Sequence, residues 1–126
     1  MVSSEASKKT LLVIDDEEIV RITTQEMLKR LGYSVLVAKD GYEGVEIYSK
    51  ESSRINGVLL DSKLPGMNGK ETFVELKKIN KDINVVLTTG LSEDEDSMEL
   101  NSLGIKGILA KPYGLKNLDE KVKEMF

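Results

Sequence analysis

Residues 58–69, VLLDSKLPGMNG, decide the fold class of this chain. The stretch opens with apolar residues that show no polar alternation, which is typical of a strand covered on both faces. This run ends at Asp61, and the Pro65-Gly66 pair predicts a turn before the next helix. A buried strand that ends in a carboxylate and leads through a loop into a helix predicts one unit of an α/β fold.

The alternation of apolar run and amphipathic segment extends through the rest of the chain. We predict strands at 11–14, 34–38, 57–60, 85–88 and 107–110, and helices at 18–31, 41–51, 70–79, 92–103 and 115–125. Because a helix separates consecutive strands, right-handed crossovers are expected to build one parallel sheet. We expect one domain at 9–126 without an output module, and a frayed polar tail at 1–8.

Apolar spacing predicts which helix faces are buried. Apolar residues recur near the 3.6-residue period in the first helix, at Ile19, Ile22, Met27, Leu28 and Leu31. In the third helix, Ile79 is expected to join Phe73 and Leu76 in the core. Ser92 followed by Glu95 is a capping-box pattern, which indicates the start of the fourth helix.

Composition excludes several classes of function. The 126 residues, 40% of them hydrophobic and 32% charged, have an ordinary globular composition. A net charge of −4 argues against nucleic acid as the direct ligand, because a phosphate backbone requires a basic face. The absence of cysteine and histidine excludes disulfides, thiol chemistry, a histidine base and a phosphohistidine. No apolar stretch approaches the roughly 20 residues of a membrane span, so we expect no membrane insertion. The absence of cysteine is compatible with a reducing cytoplasm, and we expect a cytoplasmic location.

Polar side chains follow the ends of four predicted strands. Asp15 and Asp16 follow the first strand, Asp61 the third, Thr89 the fourth and Lys111 the fifth. In an open parallel sheet these strand ends lie along one edge, where ligand sites form. Acids, a hydroxyl and an ammonium gathered there predict a divalent cation and a phosphoryl group.

The two adjacent acids leave two interpretations open. Asp15 and Asp16 precede a helix, where acids favour the macrodipole by about 0.3–1 kcal/mol, and this explains them about as well as a metal site does. Asp61 is not explained in this way, because no helix is predicted to begin before about residue 70. Three carboxylates at one edge would repel one another, and a Mg²⁺ ion would remove that repulsion and keep positions open for a phosphate.

Asp61 also has the chemistry of a nucleophile. A carboxylate can attack phosphorus and form an aspartyl phosphate, and the transferring oxygens then need preset positive charge and hydrogen-bond donors. Lys111 can supply the charge and Thr89 a hydroxyl. Taken separately, the lysine is explained as a solvated strand end and the threonine as a good strand former, but their shared position favours the functional interpretation.

Four stretches carry a resemblance to the receiver domain of response regulators. They are LLVIDD at 11–16, VLLDSKLPGMNG at 58–69, VVLTTG at 85–90 and GILAKPY at 107–113. The resemblance covers residues 9–126. It implies a flavodoxin-like, doubly wound α/β fold in which five helices flank a five-stranded parallel sheet of order 2-1-3-4-5. It further implies a cis peptide bond between Lys111 and Pro112.

The resemblance also implies roles for the site residues. Asp61 would accept the phosphoryl group, Lys111 would contact that group, and Thr89 would be the switch hydroxyl. Thr89 is preferred to Thr88 because it lies 22 residues before Lys111 and directly precedes Gly90. The implied direct ligands of Mg²⁺ or Mn²⁺ are Asp16, Asp61 and the backbone carbonyl of Lys63, and Asp15 would bind the ion either directly or through a water.

The function implied by the resemblance is a stand-alone phosphoryl-accepting switch of a two-component or phosphorelay system. Its donor would be a histidine kinase or phosphotransfer protein, and a downstream protein would dock on the surface formed by the last two helices and the fifth strand. Such a domain is expected to be monomeric and not to be an enzyme. The chain departs from the family at Ile108, where the family commonly has a Tyr or Phe whose rotamer responds to the switch hydroxyl. Coupling to the docking surface would therefore either rely on backbone movement of residues 89–97 or be weak.

Two other functions fit parts of the pattern. Phosphatases of the haloacid dehalogenase type also combine an aspartate nucleophile, Mg²⁺ and a lysine. Those enzymes carry a DxDx[TV] motif after the first strand, whereas Asp15 is followed here by Asp16-Glu17-Glu18. A docking module with a vestigial pocket is the second alternative, and Ile108 is its best support.

Overall fold

The computed structural model describes residues 9–90 and 103–126. Its five strands are β1 Thr10–Ile14, β2 Ser34–Ala38, β3 Gly57–Asp61, β4 Val85–Thr89 and β5 Gly107–Ala110. All neighbouring strands are parallel, and their order in the sheet is β2-β1-β3-β4-β5. The predicted fold class and strand order are confirmed.

Four of the predicted helices lie in the described residues. They are α1 Glu18–Arg30, α2 Gly41–Glu51, α3 Gly69–Ile79 and the C-terminal helix Leu115–Lys123. The predicted helix at 92–103, with its capping pair Ser92 and Glu95, lies outside the described residues except at Leu103, and so does the predicted tail at 1–8. A capping box does begin α3, where Asn68 and Glu71 exchange side-chain-to-backbone hydrogen bonds. Within the described ranges, none of the helices combines the length and apolar character that crossing a bilayer requires.

Apolar side chains cover both faces of the sheet. Leu12, Leu60 and Leu87 belong to the cluster on one face, which includes Phe73 of α3. The cluster on the other face contains alternate strand residues and part of the C-terminal helix, namely Leu11, Val13, Leu59, Val86, Leu109, Leu118 and Val122. This alternation is why the strands read as continuous apolar runs, since neither set of side chains faces water.

Contrary to the prediction, two apolar residues of α1 and one of α3 do not face the core. Ile19 is 80% exposed and Ile22 48%, whereas the buried residues of α1 are Thr24 and Leu28. At about 100° per residue, Ile22 lies about 200° from Thr24 and therefore points away from the sheet. Ile79, the last residue of α3, is 39% exposed. Two faces of α1 are thus apolar, and one of them is open.

Candidate functional site

The ends of four strands bring the predicted residues to one edge of the sheet. Asp15 directly follows β1, Asp61 and Thr89 are the last residues of β3 and β4, and Lys111 directly follows β5. These four strands are consecutive neighbours in the sheet, so their carboxyl ends lie side by side. The peptide bond between Lys111 and Pro112 is cis, as the resemblance implied.

Lys111 joins the acids of two strands. Its Nζ lies 2.9 Å from Asp15 Oδ2 and 3.2 Å from Asp61 Oδ2, and both carboxylates are buried. Burial by itself lowers the pKa of Lys111, but hydrogen bonds and charge attraction from Asp15 and Asp61 outweigh it, so the net shift is upward. The amine therefore stays charged at neutral pH and holds the two carboxylates together.

The single positive charge of Lys111 does not neutralise the negative charges of the acids around it. Oxygens of Asp15, Asp16 and Asp61 all lie within 4.8 Å of one another, and Asp16 is the exposed member of the three. Burial raises the pKa of Asp61 from 3.8 to about 6, and the charge of Asp15 adds to the shift although Lys111 opposes it. A cluster of oxygen ligands with uncompensated negative charge, open to solvent on one side, fits a hard divalent cation.

Backbone N–H groups fix the orientation of the two buried acids. The N–H of Glu17 donates to Asp15 Oδ1 at 2.9 Å, and the N–H of Lys63 donates to Asp61 Oδ1 at 3.2 Å. Arg21 donates through Nη1 to the backbone carbonyl of Asp15 at 2.8 Å, which ties the end of β1 to α1. The second oxygen of each acid is thereby left to Lys111.

Two buried hydroxyls near Asp61 have no hydrogen-bond partner among the described residues. They are Thr89 Oγ1 and Ser62 Oγ. Thr88 is the register partner of Asp61 in the sheet, and its hydroxyl is not among the buried unpaired ones. Because a buried hydroxyl without a partner costs about 1–3 kcal/mol, both groups are ready to bond an incoming ligand. Ser62 was not predicted as a site residue, although its position next to Asp61 was a signal.

An apolar groove of about 410 Å³ adjoins the acid site. It is lined by α1, including the exposed Ile19, and by Pro112 and Tyr113, with Lys111 at its edge. The hydroxyls of Thr24 and Tyr113 lie 2.7 Å apart and share a hydrogen bond, which ties α1 to the segment after β5. The sequence did not predict this groove; of the two exposed isoleucines of α1, Ile19 lines it and Ile22 does not.

Asp61→Asn is expected to stabilise the metal-free protein at neutral pH. The folded-state pKa of Asp61, about 6, is above the ordinary 3.8, so the wild type loses stability as pH rises through that interval. At about 1.4 kcal/mol per pKa unit, the amide should gain between about 1 and 3 kcal/mol at pH 7, and nothing below pH 4. Denaturant unfolding in a chelator at both pH values measures the gain. Asp82→Asn, at an exposed acid, is the control, and an equal gain there would contradict the prediction.

Comparisons with known proteins agree on one family. Residues 11–123 match the response regulator receiver domain. The chain is 33% identical to sporulation initiation phosphotransferase F of Bacillus subtilis over 114 residues, which cover 90% of each protein. It is 34% identical to the sensor kinase CckA of Brucella abortus, covering 92% of this chain but 12% of the kinase. A receiver domain structure from Clostridium thermocellum superposes with a TM-score of 0.88 at 27% identity, covering 93% of both chains. Against the curated transcriptional regulators that it matches, the chain spans about half of their length.

Proposed function

The chain belongs to the family of response regulator receiver domains, and from that premise we propose that it accepts a phosphoryl group on Asp61. Receiver domains are phosphoryl-accepting signalling switches that interact with histidine kinases or phosphotransfer proteins. The observation that carries the assignment to Asp61 is the 3.2 Å contact between its Oδ2 and the amine of Lys111. Nothing in the family assignment favours the haloacid dehalogenase alternative.

The proposed transfer is a substitution at phosphorus. A carboxylate oxygen of Asp61 attacks the phosphorus of a donor phosphohistidine, forming a P–O bond as the P–N bond breaks. The imidazole leaves with the electron pair of the broken bond and takes a proton from solvent. Lys111 and Thr89 stabilise the negative charge on the equatorial oxygens, the first by its ammonium and the second by its unpaired hydroxyl.

We assign Asp15, Asp16, Asp61 and the carbonyl of Lys63 as the ligands of a Mg²⁺ or Mn²⁺ ion. The clustering of the three acids and the raised pKa of Asp61 support this assignment. When bound, the ion supplies positive charge for the phosphoryl oxygens. The chain contributes the fixed orientation of Asp15 and Asp61, which their backbone hydrogen bonds provide.

The proposed output is a change in the surface that a downstream partner binds. A phosphoryl dianion on Asp61 would draw Thr89 and Lys111 towards it, and these residues end β4 and precede the C-terminal helix. Ile108 is partly buried and packs against the core, so a side-chain swing there is not part of the proposal. Movement of the backbone after Thr89 would instead carry the signal to the surface formed by the helix predicted at 92–103, the C-terminal helix and the fifth strand. The monomeric state and the cytoplasmic location remain predictions.

The groove beside Lys111 supports a protein as the phosphoryl donor. An isoleucine that is 80% exposed lies on α1 within a few residues of the acids, and the groove that it lines reaches Lys111. A protein that covers this apolar surface brings its own histidine to the open side of Asp61. The apolar contact would supply affinity, since burying such a side chain contributes about 1.5–3 kcal/mol.

Incubation with acetyl phosphate and millimolar Mg²⁺ is expected to add about 80 Da to the protein, the mass of one phosphoryl group. The adduct should be absent in Asp61→Asn and in excess chelator, because the first removes the nucleophile and the second the cation. Intact-protein mass spectrometry measures it. Asp82→Asn is the matched control and should form the adduct at the wild-type rate. An undiminished adduct in Asp61→Asn would reject Asp61 as the acceptor.

A further inference from the structure

A third carboxylate contacts Lys111 from the solvent side. Glu17 Oε1 lies 3.3 Å from the amine, and the side chain of Glu17 is 61% exposed. The other two carboxylates on the amine, those of Asp15 and Asp61, are buried. No sequence pattern predicted this contact, since Glu17 is one of three consecutive acids that follow Asp15.

The helix does not explain why a glutamate stands at this position. Glu17 is the N-cap residue of α1, yet its side chain makes no capping hydrogen bond. At the N-caps of α2 and α3, by contrast, Asp40 and Asn68 accept from backbone N–H groups of the first turn. Glutamate is not among the residues that cap well. The carboxylate of Glu17 is therefore free to serve Lys111, and its backbone is held in place by Asp15.

The amine of Lys111 has as many carboxylate neighbours as it has donors. An ammonium group carries three N–H donors, and three carboxylates lie within 3.3 Å of this one. A phosphoryl oxygen that binds Lys111 must replace one of them. Until the P–O bond forms, releasing Asp15 or Asp61 would leave a buried carboxylate unpaired, which is costly, whereas the carboxylate of Glu17 is 61% exposed and regains water when it leaves. Glu17 is the neighbour that can leave.

We infer that Glu17 is a specificity-determining residue: it occupies in the resting protein the donor of Lys111 that the phosphoryl group later takes, and it disfavours small anionic phosphodonors. The inference rests on the proposed function. A small dianion must approach Asp61 past an exposed negative charge and displace it from Lys111. A protein donor can offset both effects with contacts elsewhere on its surface, which a small molecule lacks.

Glu17→Gln should accelerate adduct formation from acetyl phosphate by about three- to tenfold at low salt, since one exposed pair and one repulsion are removed. In this reaction Asp61 forms the P–O bond and acetate leaves with the electron pair. Between about 0.02 M and 0.5 M salt the gain should shrink towards unity, because exposed charges are screened. With phosphoramidate, which carries less negative charge, the gain should be smaller. The matched control is Glu18→Gln, which removes the same charge one residue away, where no ion pair is present in the described part of the chain.

The comparison is run with Mg²⁺ saturating for every variant, as verified by thermal shift. A salt-dependent gain in Glu17→Gln that exceeds the gain in Glu18→Gln supports the inference. Equal rates in wild type and Glu17→Gln, or equal gains in both variants, overturn it while leaving the proposed function intact. No adduct on any of the three proteins rejects the proposed function instead, so the two failures are distinguishable.

Discussion

Lys111→Met is expected to slow phosphoryl acceptance on Asp61 by about 100- to 1,000-fold, the usual effect of removing one preset donor from a developing oxyanion. The amine is the cation that contacts Asp61 in the described part of the chain. Under the proposed function, its loss would leave the transferring oxygens with the hydroxyl of Thr89 and a bound cation alone. The rate of adduct formation from acetyl phosphate at saturating Mg²⁺ measures the effect.

The same substitution should also reveal the electrostatic cost of the site. Without metal, Lys111→Met leaves the buried carboxylates of Asp15 and Asp61 unpaired, and we expect a loss of about 3 kcal/mol in unfolding free energy. Adding Asp61→Asn to this variant should recover most of the loss, because only one buried charge then remains. Lys106→Met, at an exposed lysine just before β5, is the matched control for both measurements. A wild-type rate of acceptance in Lys111→Met would remove Lys111 from the proposed chemistry.

Strand ends could be predicted from the sequence because burial on both faces of the sheet requires apolar residues at every strand position. A strand covered on both sides is a continuous apolar run, and the first polar residue after it marks the end. Asp61 and Lys111 stand at such ends, and they meet because parallel strands expose their carboxyl ends at one edge. The contact between residues that lie on different strands thus follows from topology, without any knowledge of side-chain geometry.

Periodicity was less informative about the orientation of α1. Apolar spacing shows that a helix has apolar faces, but it does not show which face meets the sheet when there are two. The structure buries Thr24 and Leu28 and leaves Ile19 exposed. The contact between Glu17 and Lys111 could not be predicted either, because the two residues are 94 positions apart in the sequence. The direction in which the Glu17 side chain leaves the turn after β1 is not specified by any local pattern. The preference for Thr89 over Thr88 came from its 22-residue separation from Lys111 and its place before Gly90, whereas the unpaired hydroxyls of Thr89 and Ser62 could be found only from coordinates.

Gly69→Ala is expected to be the most destabilising small substitution near the site. An added Cβ at Gly69 would lie 2.7 Å from the carbonyl oxygen of Asp61 and 2.8 Å from both Cα and the carbonyl oxygen of Ser62. These are backbone atoms, which cannot move aside as a flexible side chain can. Overpacking of this kind typically costs about 1–3 kcal/mol, and we expect a value at the upper end, near 3 kcal/mol.

The strain of Gly69→Ala falls on the segment that orients the nucleophile. Gly69 begins α3 and donates its N–H to the carbonyl of Ser62 at 3.1 Å, so pushing these groups apart displaces the backbone at Asp61. We therefore expect slower adduct formation even at a temperature where the variant is fully folded, as checked by circular dichroism. Denaturant unfolding measures the stability. Gly114→Ala is the matched control, because no described atom lies within 4 Å of its added Cβ, and a similar loss in that variant would show that the effect is not steric. Slower adduct formation at an unchanged unfolding free energy would place the strain in the loop after β3 alone. A lower unfolding free energy at an unchanged rate of adduct formation would show that the packing of α3 does not affect the positioning of Asp61.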